Sequence, residues 1–581
     1  MSALWQDGGA EPLTALDRAF VAFLQSTQPS DDLRHAWLAA LASHQYGRGH
    51  ACLDLQALQH SAADTLGWTT EDLQAVPADL ADAAATLPWV QQPNSPLVLI
   101  AQRLYLRRPY SAEQTILQSL QMRNAQTVTS PPQLPVLLDA LFPDSLHNRS
   151  SDLQRRACEV AAQGSFTLIT GGPGTGKTTT VTRLLAVLMR VAQDQGAALP
   201  RIKLAAPTGK AASRLTQSIG RSVQNLPAGF VFDVSTLQAG TLHSLLGVRG
   251  NAWDRGVQPL EADIVIVDEA SMVDLDMMAR LFTAVPPGTR LILLGDKDQL
   301  ASVEAGAVLA QLCQRTALAS RIVTLTHSHR FSADSGIGQW ADLVNAGDSE
   351  AVLQLRQQLP VWSQQSSAPV QHLKIKRSTD AAFIDCVTQG WAPWLAGLQP
   401  VSQQQDCSNA QAQQLLDELA SFQVLCALRS GPWGVEALNT QLQRALGFGS
   451  ATWFSGRPVM VTRNDYALKL MNGDVGLCLW HRGLLRVAFR DSEGSLRWIA
   501  PARLEAVDSV FAMTVHKSQG SEFGRVLLVL PDLSSPILTR ELLYTGITRA
   551  REGMVLLAPH AGVLADAVAR RVQRAGGLVY G

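Results

Sequence analysis

Apolar residues recur every three or four positions through the first part of this chain. Leu16, Phe20, Phe23 and Leu24 form one such run. This spacing puts side chains on one face of a helix, and polar stretches between the runs mark helix ends. We therefore predict a small helical domain over residues 1–110.

Four of the chain's 13 tryptophans fall in this helical stretch. They are Trp5, Trp37, Trp68 and Trp89. Large aromatic side chains dominate the energetics of protein cores, so we interpret them as core residues. The alternative is that some of them are exposed and form a docking surface for a partner protein.

Prolines mark the end of the helical stretch. Residues 103–110 resemble a strand that leads into another helix, and Pro131, Pro132 and Pro135 then fall close together. Because proline interrupts regular structure, we predict a linker over residues 111–149.

From about residue 150 the pattern changes to short apolar runs that alternate with helical stretches. This alternation is typical of a parallel β-sheet covered by helices, and so of the α/β class. It predicts a first α/β domain over residues 150–322. A second α/β domain is expected over residues 323–472 and 509–581.

A β-rich interval divides the second α/β domain. Asn472 and Gly473 are a hairpin signal, and three segments of strand-like residues come after them before residue 500. We predict a small β-barrel over residues 473–508.

The composition is that of a globular protein. A chain of 581 residues is too long to fold around a single hydrophobic core, so several domains are expected. Hydrophobic residues make up 46% of the chain and charged residues 17%. No apolar run is long enough to cross a membrane and the first residues lack the layout of a signal peptide, so we expect a cytoplasmic protein without membrane contact. The seven cysteines form no Cys-x-x-Cys pair, which argues against a zinc site or a disulfide framework.

Charge is distributed unevenly along the chain. Residues 1–150 contain 8 Arg, no Lys and 14 Asp or Glu, a net charge of −6. The remaining residues contain 40 basic and 35 acidic side chains, a net charge of +5. Contacts with phosphates need Lys and Arg, so any nucleic-acid groove is expected in the later part of the chain.

One glycine-rich segment carries the strongest chemical signal. It comes after an apolar run at 166–170 and opens a helix. Backbone N–H groups of such a loop surround a polyphosphate, while Lys177 reaches the outer phosphates and the Thr178 hydroxyl ligates Mg²⁺. The predicted ATP-binding residues are Gly171, Gly172, Pro173, Gly174, Thr175, Gly176, Lys177, Thr178 and Thr179.

Two adjacent carboxylates, Asp268 and Glu269, follow another apolar run at 264–267. Beside a P-loop, Asp268 suits a Mg²⁺ ligand. Glu269 suits a base that orients and deprotonates the water attacking the γ-phosphate. We predict that both residues are catalytic.

Polar side chains beyond other strands complete the predicted site. Gln299 lies where it can sense the γ-phosphate, and Arg330 and Arg549 follow strands of the second α/β unit. Arginines in that unit can reach across a cleft to the charge of the transition state. Gln154 stands 17 residues before Gly171, where its amide can read the adenine edge.

Two further segments are candidates for nucleic-acid contact, and each also fits an ordinary loop. The first contains Thr208 and Lys210, and the second contains Thr241 and His243. Hydroxyl, ammonium and imidazole groups of this kind can bind phosphodiesters.

Eight segments in this order resemble the motor motifs of superfamily-one helicases and, among these, the RecD subunits of bacterial exodeoxyribonuclease V (RecBCD). They are GGPGTGKTTT, APTGKAA, TLHSLLG, VIVDEAS, LLGDKDQL, LTHSHRF, TVHKSQGSEF and YTGITRAR. The resemblance covers about residues 150–581, and the acidic helical region before it is similar in length and place to the N-terminal domain of that family.

The resemblance implies two RecA-like P-loop motor domains behind an N-terminal helical domain, with an SH3-like fold for the inserted barrel. It also implies an ATP-dependent, Mg²⁺-requiring 5′-to-3′ helicase that acts on single-stranded DNA and duplex ends. Its implied partners are RecB-like and RecC-like subunits in a heterotrimer.

Residue roles come from the same resemblance. Gln154 is assigned to the adenine, Glu522 to the ribose, and Arg330 and Arg549 become arginine fingers. His329 departs from the tyrosine that many relatives have before the first of these arginines. The positions assigned to face DNA are Pro207, Thr208, Lys210, Thr241, His243, Thr514, His516 and Lys517.

Three functions fit these residues: a helicase subunit of a RecBCD-type nuclease, a free-standing helicase, and an ATP-dependent scaffold that regulates a nuclease. No acidic nuclease cluster stands outside the motor motifs, so cleavage is expected from another chain. The acidic domain at 1–110 is predicted to dock onto partners. The insert at 248–261 is long enough for a hairpin that separates duplex strands, with an ordinary loop as the alternative.

Overall fold

The computed structural model describes residues 12–126, 130–143, 149–235, 237–247, 257–331, 336–491 and 494–580. The hairpin hypothesis concerns a segment of which 248–256 lie outside these residues. Within the described part of the chain, no helix is long and apolar enough to cross a membrane.

The N-terminal domain is mostly helical, as predicted, and adds a small antiparallel sheet in the order β1-β3-β2. Its elements are α1 (Ala15–Thr27), α2 (Leu33–Gly47), β1 (Cys52–Asp54), α3 (Leu55–His60), α4 (Ala62–Leu66), α5 (Thr70–Leu73), α6 (Leu80–Ala84), β2 (Leu97–Ile100) and β3 (Arg103–Leu106). Helix α1 begins with a capping box, in which Thr14 and Asp17 satisfy each other's backbone N–H groups.

Trp37, Trp68 and Trp89 are buried in the core of this domain. The Trp89 indole donates to the Gln28 carbonyl, so its polar atom is also satisfied. The interpretation of these three tryptophans as core residues is confirmed. Trp5 lies outside the described residues.

The stretch predicted as a linker contains two helices, α7 (Arg107–Ala125) and α8 (Leu134–Leu141). Pro135 lies at the start of α8, where a missing N–H costs nothing, so it begins a helix rather than interrupting one. Arg123 of α7 is 1% exposed and donates to carbonyls of the first α/β domain, including that of Val285 at 2.6 Å and that of Thr289 at 2.7 Å. Helix α7 is therefore anchored to that domain.

The first α/β domain is built on a parallel sheet of six strands in the order β6-β5-β7-β8-β4-β9. Its strands are β4 (Phe166–Gly171), β5 (Ile202–Ala206), β6 (Ala239–Thr241), β7 (Ile264–Val267), β8 (Arg290–Gly295) and β9 (Ile322–Leu325). Its helices are α9 (Arg149–Gln163), α10 (Lys177–Asp194), α11 (Gly209–Gln224), α12 (Leu242–Leu245), α13 (Leu275–Ala284) and α14 (Val308–Gln314). Apolar clusters cover both faces of the sheet, which explains why strands such as β7 are uniformly apolar.

The second α/β domain has a parallel sheet in the order β10-β19-β18-β11-β17. Up to the insertion its elements are α15 (Ile337–Ala346), α16 (Ser349–Gln358), β10 (Val370–His372), α17 (Ala381–Gly390), α18 (Ala392–Gln404), α19 (Asn409–Ala420), β11 (Phe422–Cys426) and α20 (Val435–Ala445).

The insertion is an antiparallel sheet in the order β15-β14-β13-β12-β16. Its strands are β12 (Pro458–Val461), β13 (Val475–His481), β14 (Leu484–Arg490), β15 (Leu496–Ile499) and β16 (Val507–Ser509). The sheet thus includes a strand that precedes residue 473, where the β-rich interval was predicted to begin. The second domain then resumes with β17 (Ala512–Thr514), β18 (Phe523–Val529), α21 (Arg540–Ile547), β19 (Ala550–Leu557) and α22 (Ala561–Ala569).

Residues 570–580, here called the C-terminal strap, cross from the second α/β domain to the N-terminal domain. The Ala51 N–H donates to the Ala575 carbonyl at 2.8 Å, and the Gly577 N–H donates to the Glu113 carboxylate at 2.9 Å. Leu578 is fully buried in a core formed by the N-terminal and first α/β domains. The strap therefore joins all three domains.

Candidate active site

The glycine-rich loop lies between the buried strand β4 and the first residue of α10. Gly174 and Gly176 have φ angles of +78° and +85°, a region that glycine enters without the steric penalty of a side chain. The Lys177 ammonium donates to the carbonyls of Gly171 and Gly172 at 2.5 and 3.0 Å. The structure thus forms the predicted strand, turn and helix.

The segment that carries Arg330 packs directly on this loop. The His329 N–H donates to the Gly174 carbonyl at 2.9 Å, and the Ser328 hydroxyl donates to the Pro173 carbonyl at 2.9 Å. A side chain at Gly174 would collide with Arg330. The glycine therefore permits the close approach of the predicted arginine finger.

Gln154 lies on the other side of the loop. Its amide donates to the Thr175 carbonyl at 3.4 Å and accepts from Arg183 at 3.2 Å. A side chain at Gly176 would collide with this amide. The structure therefore places the Gln154 amide against the backbone of the glycine-rich loop.

Asp268 and Glu269 follow the buried strand β7. Glu269 adopts a left-handed backbone conformation, with φ of 51°, and its N–H donates to the Asp268 carboxylate at 2.8 Å. Such a conformation costs a non-glycine residue about 1 kcal/mol or more. Burial, and then the charge of Glu269, raises the pKa of Asp268 to about 6 against the opposing charge of Lys177. A divalent cation would relieve this excess of negative charge.

A hydrogen-bonded network extends from β8 to the second α/β domain. Asp296 accepts from the Gln299 amide at 2.8 Å and from the Tyr544 hydroxyl at 3.1 Å. The Gln299 oxygen in turn accepts from Arg549 at 3.0 Å. Gln299 therefore contacts a predicted arginine finger directly, which suits a residue that communicates between the two domains.

Glu522 is surrounded by three arginines. Arg330 lies 2.6 Å from one carboxylate oxygen, and Arg214 and Arg551 lie 2.9 and 3.1 Å from the other. Burial alone would raise the pKa of Glu522, but the charges of the arginines hold it at about 2. Glu522, assigned to a ribose by resemblance, thus pairs with arginines from both α/β domains in this structure.

Most of the residues described above line one cavity of about 720 Å³ between the α/β domains, a volume typical of ligand sites. All six residues predicted to be catalytic line it: Lys177, Asp268, Glu269, Gln299, Arg330 and Arg549. So do these residues predicted to bind ATP: Gln154, Pro173, Gly174, Thr175, Gly176, Thr178, Thr179 and Glu522.

The residues present fit a polyphosphate with a divalent cation. One guanidinium nitrogen of Arg330, Nη1, is buried and has no hydrogen-bond partner among the described residues. A buried, unsatisfied cationic donor is costly unless an anion can reach it. The Thr178 hydroxyl and the Asp268 carboxylate line the same cavity and are oxygen ligands of the kind that Mg²⁺ prefers.

Sequence reasoning missed several arginines of this cavity. Arg214 follows the APTGKAA segment by two positions, and Arg551 is the last residue of YTGITRAR, so their places beside recognised motifs were a usable signal. Arg183, on the second turn of the P-loop helix α10, carries no such signal. In the structure it donates a hydrogen bond to Gln154, which fixes it beside the loop.

The predicted DNA-facing threonines all have local structural partners. Thr208, Thr241 and Thr514 each accept a hydrogen bond from the backbone N–H three residues later, at 3.2, 3.1 and 3.2 Å. Thr208 and Thr241 are thereby the N-caps of α11 and α12. Capping orders these loops and does not by itself indicate DNA contact.

Two of the predicted DNA-facing segments meet across the cleft. A side chain at Gly520 would contact Thr208, so the loop that begins with Pro207 adjoins residues 514–520 of the second α/β domain. That segment carries the other positions of this group, Thr514, His516 and Lys517.

Lys210 and His243 line other cavities. Lys210 faces a cavity of about 720 Å³ that also contains Asp474, and burial lowers the pKa of Lys210 to about 8. His243 lines a cavity of about 490 Å³ together with Asp274 and Asp276. Lys210 thus stays beside Thr208 on the first turn of α11 although its side chain faces another cavity, whereas His243 lines a separate acidic cavity.

Family models match three parts of the chain. Residues 10–105 match the RecBCD enzyme subunit RecD, N-terminal domain; residues 149–361 match an AAA domain; and residues 509–557 match a UvrD-like helicase C-terminal domain. The first of these assigns a family to the part of the chain in which no motif was recognised.

Curated relatives extend the similarity to most of the chain. The RecBCD enzyme subunit RecD of Mycobacterium tuberculosis is 38% identical over 94% of this chain and 91% of its own length. The RecBCD enzyme subunit RecD of Haemophilus influenzae is 34% identical over 93% and 92%. The ATP-dependent RecD2 DNA helicase of Deinococcus radiodurans is 32% identical over 71% of this chain and 50% of its own length. The chain therefore belongs to the family of the RecBCD enzyme subunit RecD.

Proposed function

We propose that this protein is the ATP-dependent 5′-to-3′ DNA helicase subunit of a RecBCD-type helicase–nuclease acting in the cytoplasm in double-strand break repair. The observation that carries the proposal is the single cavity of about 720 Å³ lined by six catalytic candidates from two α/β domains. The names of the relatives supply the DNA helicase activity and the kind of complex.

Within this cavity the roles follow from chemistry and position. Thr178 and Asp268 would hold Mg²⁺, which when bound neutralises charge on the ATP phosphates. Lys177 binds the outer phosphates, and Glu269 orients and deprotonates the attacking water. Arg330 follows β9, the edge strand of the first sheet, and not a strand of the second domain as predicted. Arg330 and Arg549, the latter from the second domain, then stabilise the negative charge of the transition state.

Hydrolysis is coupled to movement because the two domains contribute to one site. Gln299 of the first domain contacts Arg549 of the second, so loss of the γ-phosphate changes the fit between them. A DNA strand that lies across both domains would be pulled as the cleft opens and closes. The 5′-to-3′ direction rests on the family alone.

We assign RecA-like folds to both α/β domains and an SH3-like barrel to the inserted antiparallel sheet. The second assignment is supported by five antiparallel strands in the order β15-β14-β13-β12-β16 and by an apolar core of their own, which includes Val459, Cys478 and Phe489. Because β9 belongs to the first sheet, the first motor domain extends through Leu325, and the second comprises the residues from there to 457 and 510–581.

The partners of this chain are proposed to be RecB-like and RecC-like subunits, with the nuclease in one of them. We place the docking surface on the acidic N-terminal domain. Leu16 and Phe23 of α1 are 73% and 57% exposed and lie seven residues apart, on one side of the helix. Exposed apolar side chains at such a spacing suit contact with a protein rather than with phosphates.

Two substitutions test the site. Lys177→Gln is expected to abolish ATP turnover without loss of folding, because the ammonium contacts only loop carbonyls. Glu269→Gln is expected to bind ATP and stall. Lys203→Gln, at an exposed position of β5, is the matched control. DNA-stimulated ATPase in Lys177→Gln, or loss of nucleotide binding in Glu269→Gln, would contradict these assignments.

A free-standing helicase is the second candidate. The similarity to the RecD2 DNA helicase favours it, although this chain spans only 50% of that longer protein. Co-purification of the native chain separates the two, since only the first function requires stable association with other subunits. The third candidate is a scaffold that regulates a nuclease without stepping along DNA. Stepping assays test it, because ATP-driven movement along DNA would exclude this function.

A further inference from the structure

Arg214 connects the two α/β domains at the edge of the nucleotide cavity. It lies near the start of α11 in the first domain and is 36% exposed in its side chain. Its guanidinium donates to the Gly520 carbonyl at 2.7 Å and pairs with the Glu522 carboxylate at 2.9 Å. Arg214 thus binds two residues of one loop in the second domain.

That loop is continuous with a segment predicted to face DNA. The loop, here called the 514–522 loop, begins at residue 514 and ends at Glu522. Its residue Gly520 lies against Thr208, at the start of α11. The first turn of α11 is another of the segments predicted to face DNA. Arg214 is therefore attached, through one helix and one loop, to DNA-facing segments of both domains.

The same loop also contacts a predicted arginine finger. Glu522 binds Arg330 through one carboxylate oxygen at 2.6 Å, while Arg214 and Arg551 share the other oxygen. A carboxylate divided among three cations binds each of them less strongly than it would bind one alone. Removal of Arg214 would leave Arg330 more tightly held by Glu522 and less able to turn to the γ-phosphate.

We propose that Arg214 is a positioning residue that couples DNA contact to hydrolysis, by linking the DNA-facing segments to the Glu522–Arg330 pair. This inference rests on the proposed helicase function. Movement of α11 against the 514–522 loop when a strand binds would shift Arg214 and with it Glu522. Arg330 would then be released toward the nucleotide.

The test is the stimulation of ATPase by single-stranded oligodeoxythymidylate, measured as kcat with DNA divided by kcat without it. Coupling between sites is typically worth about 5–150-fold, and we expect Arg214→Ala to reduce the stimulation about tenfold. The KM for ATP should stay within about threefold, because the residue acts through Arg330 and not on the phosphates. Arg190→Ala, with a comparable exposure of 40% and an ion pair within its own helix, is the matched control.

Arg214→Lys provides the same test if the alanine variant does not fold, which thermal melting monitored by circular dichroism would reveal. Lysine keeps the charge but lacks the planar fork that holds Gly520 and Glu522 together, so a reduced stimulation with unchanged KM is again expected. Stimulation equal to wild type in the folded variants would overturn the proposal. So would a tenfold rise of KM with normal stimulation, since Arg214 would then be a nucleotide contact. Absence of any DNA stimulation in the wild-type chain would instead refute the proposed function.

Discussion

Arg330 and Arg549 have the same predicted role but are held very differently. Arg549 is 3% exposed and donates to carbonyls of Thr545 and Ser521 as well as to Gln299. Arg330 forms an ion pair with Glu522 and keeps one nitrogen without a partner among the described residues. Arg549 is therefore part of the fold, whereas Arg330 is free to change partner.

This difference predicts distinct effects of alanine substitution. Arg330→Ala should lower single-turnover hydrolysis by about 10³-fold or more, as for other arginine fingers, with little change in melting temperature. Arg549→Ala should lower the rate and also the melting temperature, because several buried acceptors lose their donor at about 1–3 kcal/mol each. Arg429→Ala, at an arginine side chain 79% exposed, is the control for both measurements. Hydrolysis within about threefold of wild type would show that the substituted arginine is not a finger.

The site residues differ in how far the sequence could reveal them. Lys177, Asp268 and Glu269 are each fixed by a contiguous strand and loop, so local pattern sufficed to predict that they lie at one sheet edge. The pairing of Arg214 with Glu522 joins positions that are distant in the chain and belong to different domains. Such a contact depends on how the domains meet, which no local pattern records.

At the level of elements, apolar pattern predicted the existence of helices and strands better than their exposure. Helix α1 forms where Leu16, Phe20, Phe23 and Leu24 predicted it, but of these four only Leu24 is fully buried, together with Val21. This helix has two apolar faces, and packing against the rest of the domain determines which of them is buried. The predicted linker failed for a related reason, because proline at a helix start and proline in a loop look alike in sequence.

The contact between α7 and the C-terminal strap predicts a stability that depends on pH. Glu113 of α7 is 1% exposed and accepts the Gly577 N–H at 2.9 Å. Burial raises the pKa of Glu113 to about 7, against the opposing effects of the Gly577 N–H, Tyr105 and Arg103. The folded protein therefore binds more protons at this site than the unfolded chain between about pH 4.5 and pH 7. Its free energy of unfolding should fall as the pH rises through that window.

Glu113→Gln should remove this dependence, since a neutral amide keeps an oxygen acceptor for the Gly577 N–H. The variant is expected to unfold at a higher temperature than wild type at pH 8, by the equivalent of about 3 kcal/mol at most. The difference should shrink at pH 5, where the wild-type carboxyl is protonated. Glu261→Gln, at a side chain 93% exposed, is the control. A constant difference at both pH values would show that Glu113 is not the titrating group.

At the level of the whole molecule, the N-terminal domain and the first α/β domain form one structural unit. The Arg123 side chain of α7 donates hydrogen bonds to carbonyls of the first α/β domain. The C-terminal strap packs on both domains. A fragment that starts near residue 145 would lose α7 and leave those carbonyls without their donor. Deleting the N-terminal part of the chain is therefore a poor test of docking. It would have been a suitable test only if the domain had ended at residue 110, as predicted.

Point substitutions on α1 test docking without this damage. Leu16→Asp with Phe23→Asp places two charges on exposed positions, so folding and DNA-stimulated ATPase should be retained. Assembly with the RecB-like and RecC-like subunits should be lost, because charges buried without partners in an interface cost several kcal/mol. Val136→Asp, at a residue of α8 that is 70% exposed, controls for the loss of any exposed apolar side chain. The measurement is co-purification of each full-length variant with the two subunits. Undiminished assembly of the double variant would move the docking surface away from α1, and equal loss in Val136→Asp would make it broader than one helix.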